Sequence, residues 1–69
     1  MTNKFTERFN EILNETNISQ TELAKAVGIS KQSITDFKSG KSFPSIHTLR
    51  LLCKTLKVSA DYLLGVDEK

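Results

Sequence analysis

Apolar residues recur along this chain at helical spacing, and no run shows the alternation of a half-buried strand. Phe5, Phe9, Ile12 and Leu13 stand at i, i+4, i+7 and i+8, which predicts an amphipathic helix ending near Thr16 or Asn17. Asparagine tolerates left-handed backbone, so Asn17 suits the position after that helix. Ser19-Gln20-Thr21-Glu22 then reads as a capping box, with the Ser19 hydroxyl and the Glu22 carboxylate each satisfying the other's amide. A short helix follows, with Leu23, Ala24 and Val27 on one face, and Gly28 ends it. Ser30 is the next N-cap, Ile34 and Phe37 give the apolar face of a third helix, and Gly40 closes it. Pro44 pushes Phe43 out of helical geometry, which makes Phe43-Pro44-Ser45 a break. Ser45 caps a fourth helix whose apolar stripe is Ile46, Leu49, Leu52, Cys53 and Leu56. Val58 spaces it from a last short helix, capped by Ser59 and carrying Tyr62, Leu63 and Leu64. Gly65 to Lys69 are expected to fray. The pattern predicts an all-α fold of five short helices: one domain over residues 1–69, its core spanning about residues 5–64.

Composition narrows the chemistry. A domain of 69 residues buries little surface and relies on efficient helix packing. Cys53 stands alone, so no intramolecular disulfide forms, and with His47 as the only other strong soft ligand a tetrahedral zinc site is excluded. No apolar run approaches the roughly 20 residues of a membrane span. Met1 to Phe5 lacks the apolar stretch of a signal peptide, and the expected location is the cytoplasm. His47 has no nucleophile or carboxylate at suggestive spacing. Glu7, Glu11 and Glu15 share a helix face, which reads as solvated rather than catalytic. Cys53, on an apolar stripe, reads as a small buried hydrophobe. An enzyme is therefore not expected, and no cofactor or metal is implied.

The net charge is only +2, but its distribution is uneven. Residues 19–57 hold Lys25, Lys31, Lys38, Lys41, Arg50, Lys54 and Lys57 against Glu22 and Asp36, whereas acidic residues outnumber basic ones on either side. A basic middle is the pattern a phosphate-facing surface gives, although an ordinary solvated surface gives it as readily.

Two short helices separated by a glycine turn match the helix-turn-helix pattern over about residues 20–39. Ala24 is small enough for the helices to approach, Gly28 permits the turn, and Ile29 and Ile34 fill the angle between them. The outward residues of the second of these helices are Ser30, Lys31, Gln32, Ser33, Thr35 and Asp36. Lys, Gln and Ser stand at its N-terminal end, where a docked recognition helix meets base edges.

From about Phe5 to Leu64 the sequence resembles the Cro and phage-repressor (XRE-like) family of helix-turn-helix domains. The resemblance is carried by Ser19-Gln20-x-x-Leu23-Ala24, Gly28-Ile29-Ser30, Ile34, Gly40-Lys41, Pro44-Ser45-Ile46-x-x-Leu49 and Leu56-x-Val58-Ser59-x-Asp61-x-Leu63-Leu64. It implies a compact lambda-repressor-like domain that binds double-stranded operator DNA, associated with the nucleoid and acting as a homodimeric transcriptional regulator on a palindromic site. By the same resemblance Gln20 contacts phosphate and buttresses the recognition helix. Lys31, Gln32 and Asp36 face the major groove. Ser30, Ser39 and Lys41 lie against the sugar-phosphate backbone. Side-chain chemistry then matches Gln32 to adenine, Lys31 to guanine and Asp36 to cytosine, with local pairing to Lys31 or Lys38 as the alternative for Asp36. The family commonly pairs an arginine late in the first helix with a glutamate before the Gly-Lys loop. Here those positions hold Leu13 and Lys38, so the pair is lost on both sides at once and Lys38 is expected to turn outward, towards phosphate. Ala60, Tyr62 and Leu51 match the region of a two-fold contact, with core packing the alternative for Tyr62. Rival readings are a protein-interaction module that modulates a partner repressor, and an antitoxin-type autoregulator.

Overall fold

A computed structural model describes residues 3–66. Its five helices are α1 (Lys4–Thr16), α2 (Gln20–Val27), α3 (Lys31–Ser39), α4 (Ile46–Leu56) and α5 (Ala60–Leu64), and there is no strand among the described residues. Each of the last four starts at the serine the sequence marks: Ser19, Ser30, Ser45 and Ser59 have extended backbone, and their side chains accept from the amides of Glu22, Ser33, Thr48 and Tyr62. The capping box is complete, with Glu22 N donating to Ser19 Oγ at 3.0 Å and Ser19 N donating to Glu22 Oε1 at 3.2 Å. Asn3, which the apolar pattern does not reveal, caps α1 through its side chain.

The core joins all five helices. Phe9, Leu23, Ile34, Leu52 and Leu63 are fully buried, one from each helix in chain order. Phe5 stacks on Phe9 with ring centroids 5.3 Å apart, and Phe37 meets both rings edge-on at 6.3 and 6.1 Å. This aromatic cluster ties α1 to α3. Asn10 adds a polar tie that the apolar pattern could not reveal, donating from Nδ2 to the carbonyls of Thr6 and Lys38. At the end of α3, Gly40 has φ +83°, and a Cβ there would stand 3.3 Å from Thr6 Oγ1, so both backbone angle and close approach call for glycine.

Besides the buried Leu63, Tyr62 holds α5 onto α1 through polar contacts. The Arg8 guanidinium donates to the Tyr62 carbonyl at 2.9 Å and lies 4.8 Å from the centre of the Tyr62 ring. The Tyr62 hydroxyl in turn donates to Glu11 Oε1 at 3.3 Å, so one carboxylate of the acidic α1 face has a partner. Partial burial and the nearby Glu11 and Glu15 charges push the Tyr62 phenol above its ordinary pKa.

The fourth helix departs from its expected stripe. Leu52 and Leu56 are buried, and Leu49 and Cys53 are half-buried, but Ile46 is 87% exposed. The reason is angular. Leu52 and Leu56 look into the core, whereas Ile46, Leu49 and Cys53, at i, i+3 and i+7, form a second edge beside it. That edge lines a groove of about 330 Å³ together with Arg50, Lys54, Val58, Ser59 and Ala60. Leu51, expected off the stripe, is half-buried and packs against the core. Leu64, expected with the apolar face of α5, is 47% exposed. Gly65 forms the left-handed cap of α5, while residues 67–69, part of the segment expected to fray, lie outside the described residues.

Candidate nucleic-acid interface

α2 and α3 are joined by the turn Gly28-Ile29-Ser30. Gly28 has φ +81°, and the amides of Gly28 and Ile29 both donate to the Ala24 carbonyl, at 2.8 and 3.0 Å. Ala24 is buried, so the closest part of the packing falls on a residue with no side chain beyond Cβ. Buried Leu23, Val27, Ile34 and Phe37 then fix the angle between the two helices, with Ile29 half-buried beside them. The remaining face of α3 points outward as a consequence.

That face carries Lys31, Gln32, Thr35 and Asp36, at i, i+1, i+4 and i+5. Lys31, Gln32 and Thr35 are exposed, and Asp36 is half-buried. Ser30 is exposed at the start of α3, where its hydroxyl lies 3.1 Å from that of Ser33. Gln20, the first residue of α2, reaches across and donates from Nε2 to Thr35 Oγ1 at 3.0 Å, and Thr35 donates back to the Lys31 carbonyl at 3.3 Å. The N-terminus of α2 thus stands beside the face of α3. The Gln20 and Thr21 amides, in the first turn, have no intrahelical acceptor and form a natural place for an anion.

Lys38 differs from its expected posture. Its ammonium donates to Gln20 Oε1 at 3.4 Å and is half-buried, so it crosses the gap between α3 and α2. Leu13 opposite is half-buried and packs on the core, so both positions of the absent ion pair are filled without stranding a charge. The loop after α3 is built around one acceptor. The Asp36 carbonyl receives the Lys41 amide at 2.9 Å, the Ser42 amide at 3.4 Å and the Ser39 hydroxyl at 3.2 Å. Ser39 and Lys41 are exposed there, next to the end of α3.

Asp36 meets neither of the lysines considered for it. Its Oδ1 accepts from Gln32 Nε2 at 3.0 Å, one helical turn back. The i, i+4 spacing of a glutamine and an aspartate is itself a sequence signal for this pair.

The residues matched to a two-fold contact differ in their surroundings. Ala60 lines the α4–α5 groove, Leu51 packs against the core, and Tyr62 is engaged by Arg8 and Glu11 of α1. Cys53 lines the groove as well, and burial raises its thiol pKa above the ordinary value. No group of His, Cys, Asp and Glu among the described residues could hold a metal ion, and no helix among them is long and apolar enough to cross a membrane.

Two short helices joined by a glycine turn, the second with a free polar face, define a helix-turn-helix unit within a five-helix domain. The helix-turn-helix family model matches residues 10–63, and the chain belongs to the Cro/C1-type helix-turn-helix family. It is 41% identical over 61 residues to the HTH-type transcriptional regulator for conjugative element SXT of Vibrio cholerae, a match covering 88% of this chain. It is 29% identical over 65 residues to the HTH-type transcriptional activator BcrR of Enterococcus faecalis, covering 94% of this chain. The chain spans 28% and 32% of the length of these two relatives. Among solved structures, the P22 c2 repressor in complex with a synthetic operator superposes with a TM-score of 0.86 at 33% identity, covering 96% of this chain and 100% of that one. The DNA-binding domain of the same repressor in solution gives a TM-score of 0.85 at 32% identity, covering 100% of this chain and 91% of that one. The five-helix expectation and the family resemblance are both borne out. The relatives found are transcriptional regulators, in keeping with a non-enzymatic domain.

Proposed function

We propose that residues 1–69 act as one domain that binds double-stranded operator DNA and regulates transcription as a homodimer on a palindromic site. The carrying observation is the composite face of α3, the α2 N-terminus and the Ser39–Lys41 loop, on a fold shared with a repressor bound to its operator. In this reading α3 enters the major groove, and Lys31, Gln32 and Asp36 meet base edges. Gln20, Ser30, Ser39, Lys41 and Lys38 meet phosphate and set the register without reading sequence. The two copies contact one another near Ala60, Tyr62 and Leu51, and their half-sites lie about one helical turn, roughly 34 Å, apart. Such a protein works on the nucleoid in the cytoplasm.

Gln32 supplies the sharpest test of base reading. Its exposed amide suits adenine, which offers one donor and one acceptor in the major groove. Gln32→Ala is expected to relax the preference at one base pair of each half-site by about 5- to 150-fold, the equivalent of about 1–3 kcal/mol. Selection from random duplexes with both proteins measures this, and an unchanged consensus would remove Gln32 from the reading set.

A further inference from the structure

Gln32 and Asp36, both on the outward face of α3, are bonded to each other. Gln32 Nε2 donates to Asp36 Oδ1 at 3.0 Å. A carboxylate has no hydrogen to donate, so it can only accept, and the Gln32 amide must turn its nitrogen towards it. The amide orientation is thereby fixed by chemistry. The backbone at Asp36 is itself held in place, because its carbonyl anchors the Lys41 and Ser42 amides.

We infer that Asp36 is a specificity-determining residue that acts through Gln32 and commits it to adenine over guanine. The inference rests on the DNA-binding reading above. A free glutamine has two ways to pair with a purine. It can accept from adenine N6 while donating to N7, or it can turn both amide hydrogens on guanine O6 and N7. With one hydrogen held by Asp36, Gln32 presents Oε1 and a single N–H. That pair complements the donor and acceptor of adenine and can no longer satisfy both acceptors of guanine.

The test compares binding to the selected duplex with binding to the same duplex carrying guanine in place of the adenine read by Gln32. The proteins are the starting chain, Asp36→Ala, Asp36→Asn, Gln32→Ala, and Gln32→Ala combined with Asp36→Ala. The starting chain should prefer adenine by at least about tenfold, within the range for one bidentate pair. Asp36→Ala should bring the two duplexes within about threefold. Asp36→Asn should fall between, because a carboxamide can face Gln32 with oxygen or with nitrogen. In the Gln32→Ala background, removing Asp36 should change nothing further at this base pair. An adenine preference that survives Asp36→Ala but disappears in Gln32→Ala overturns the inference and leaves the DNA-binding reading intact. An additional effect of Asp36→Ala on the adenine-over-guanine preference in the Gln32→Ala background also overturns it, by giving Asp36 a contact of its own at that base pair. If the starting chain binds no duplex selectively, the functional reading fails first and carries this inference with it.

Discussion

Phe9→Ala is expected to destabilise the domain by about 3–5 kcal/mol, the range for emptying a large aromatic site in a closed core. Phe9 is fully buried, stacks on Phe5 and receives the edge of Phe37, so it joins the first helix to the recognition helix. A chain of 69 residues, at about 0.05–0.15 kcal/mol per residue, has roughly 3–10 kcal/mol to lose. The variant should therefore be partly unfolded at room temperature, and its urea midpoint should fall sharply. Urea titration followed by circular dichroism measures this. A loss below about 1 kcal/mol would show that the aromatic cluster does not hold α1 against α3.

Affinity for DNA should respond most strongly to Lys38 and Lys41. Each phosphate neutralised contributes about 0.9 to the slope of log affinity against log salt. Replacing both lysines with alanine should flatten that slope by about 1.8 for each protomer bound, and near 100 mM salt weaken binding by about 50- to 100-fold per protomer. The loss should be alike for all sequences, since phosphate contacts carry no base information. Lys38 has a second tie, to Gln20 Oε1, so part of its effect is expected to come from loosening Gln20. Titrations across salt concentrations on matched and random duplexes separate these contributions. An unchanged slope with altered base preference would make these lysines readers instead of positioning groups.

The helices were legible because their boundaries are chemical and local. A serine hydroxyl three residues before an amide marks four of the five starts, and Gly28, Gly40 and Gly65 mark three of the ends. The end of α4 carries no such mark, since Lys57 adopts the left-handed conformation at φ 60°. Ile46 misled because a helical stripe fixes an angle about the axis and says nothing of where the neighbouring helix stops. Leu49 and Cys53 follow the same edge outward, and the groove they line cannot be read from spacing alone.

At the interface the exposed residues were legible and their partners less so. Gln20 meets Lys38 and Thr35 across 18 and 15 residues of sequence, contacts that exist only once α2 and α3 are packed. The pairing of Gln32 with Asp36 spans four residues and was available from helical geometry. It was hidden by a preference for lysine as the partner of an aspartate. Tyr62 shows the converse. A two-fold contact and core packing both stood open for it, and its partners Arg8 and Glu11 come from the far end of the chain.

Sequence-specific binding of operator DNA by α3 is tested by selection from random duplex DNA with the purified chain near 100 mM salt. The expected product is a palindrome whose half-sites lie about 10 base pairs apart, with a conserved adenine opposite Gln32. No enrichment over random DNA would rule out operator binding by this chain alone and would turn attention to a protein partner for the same helical face.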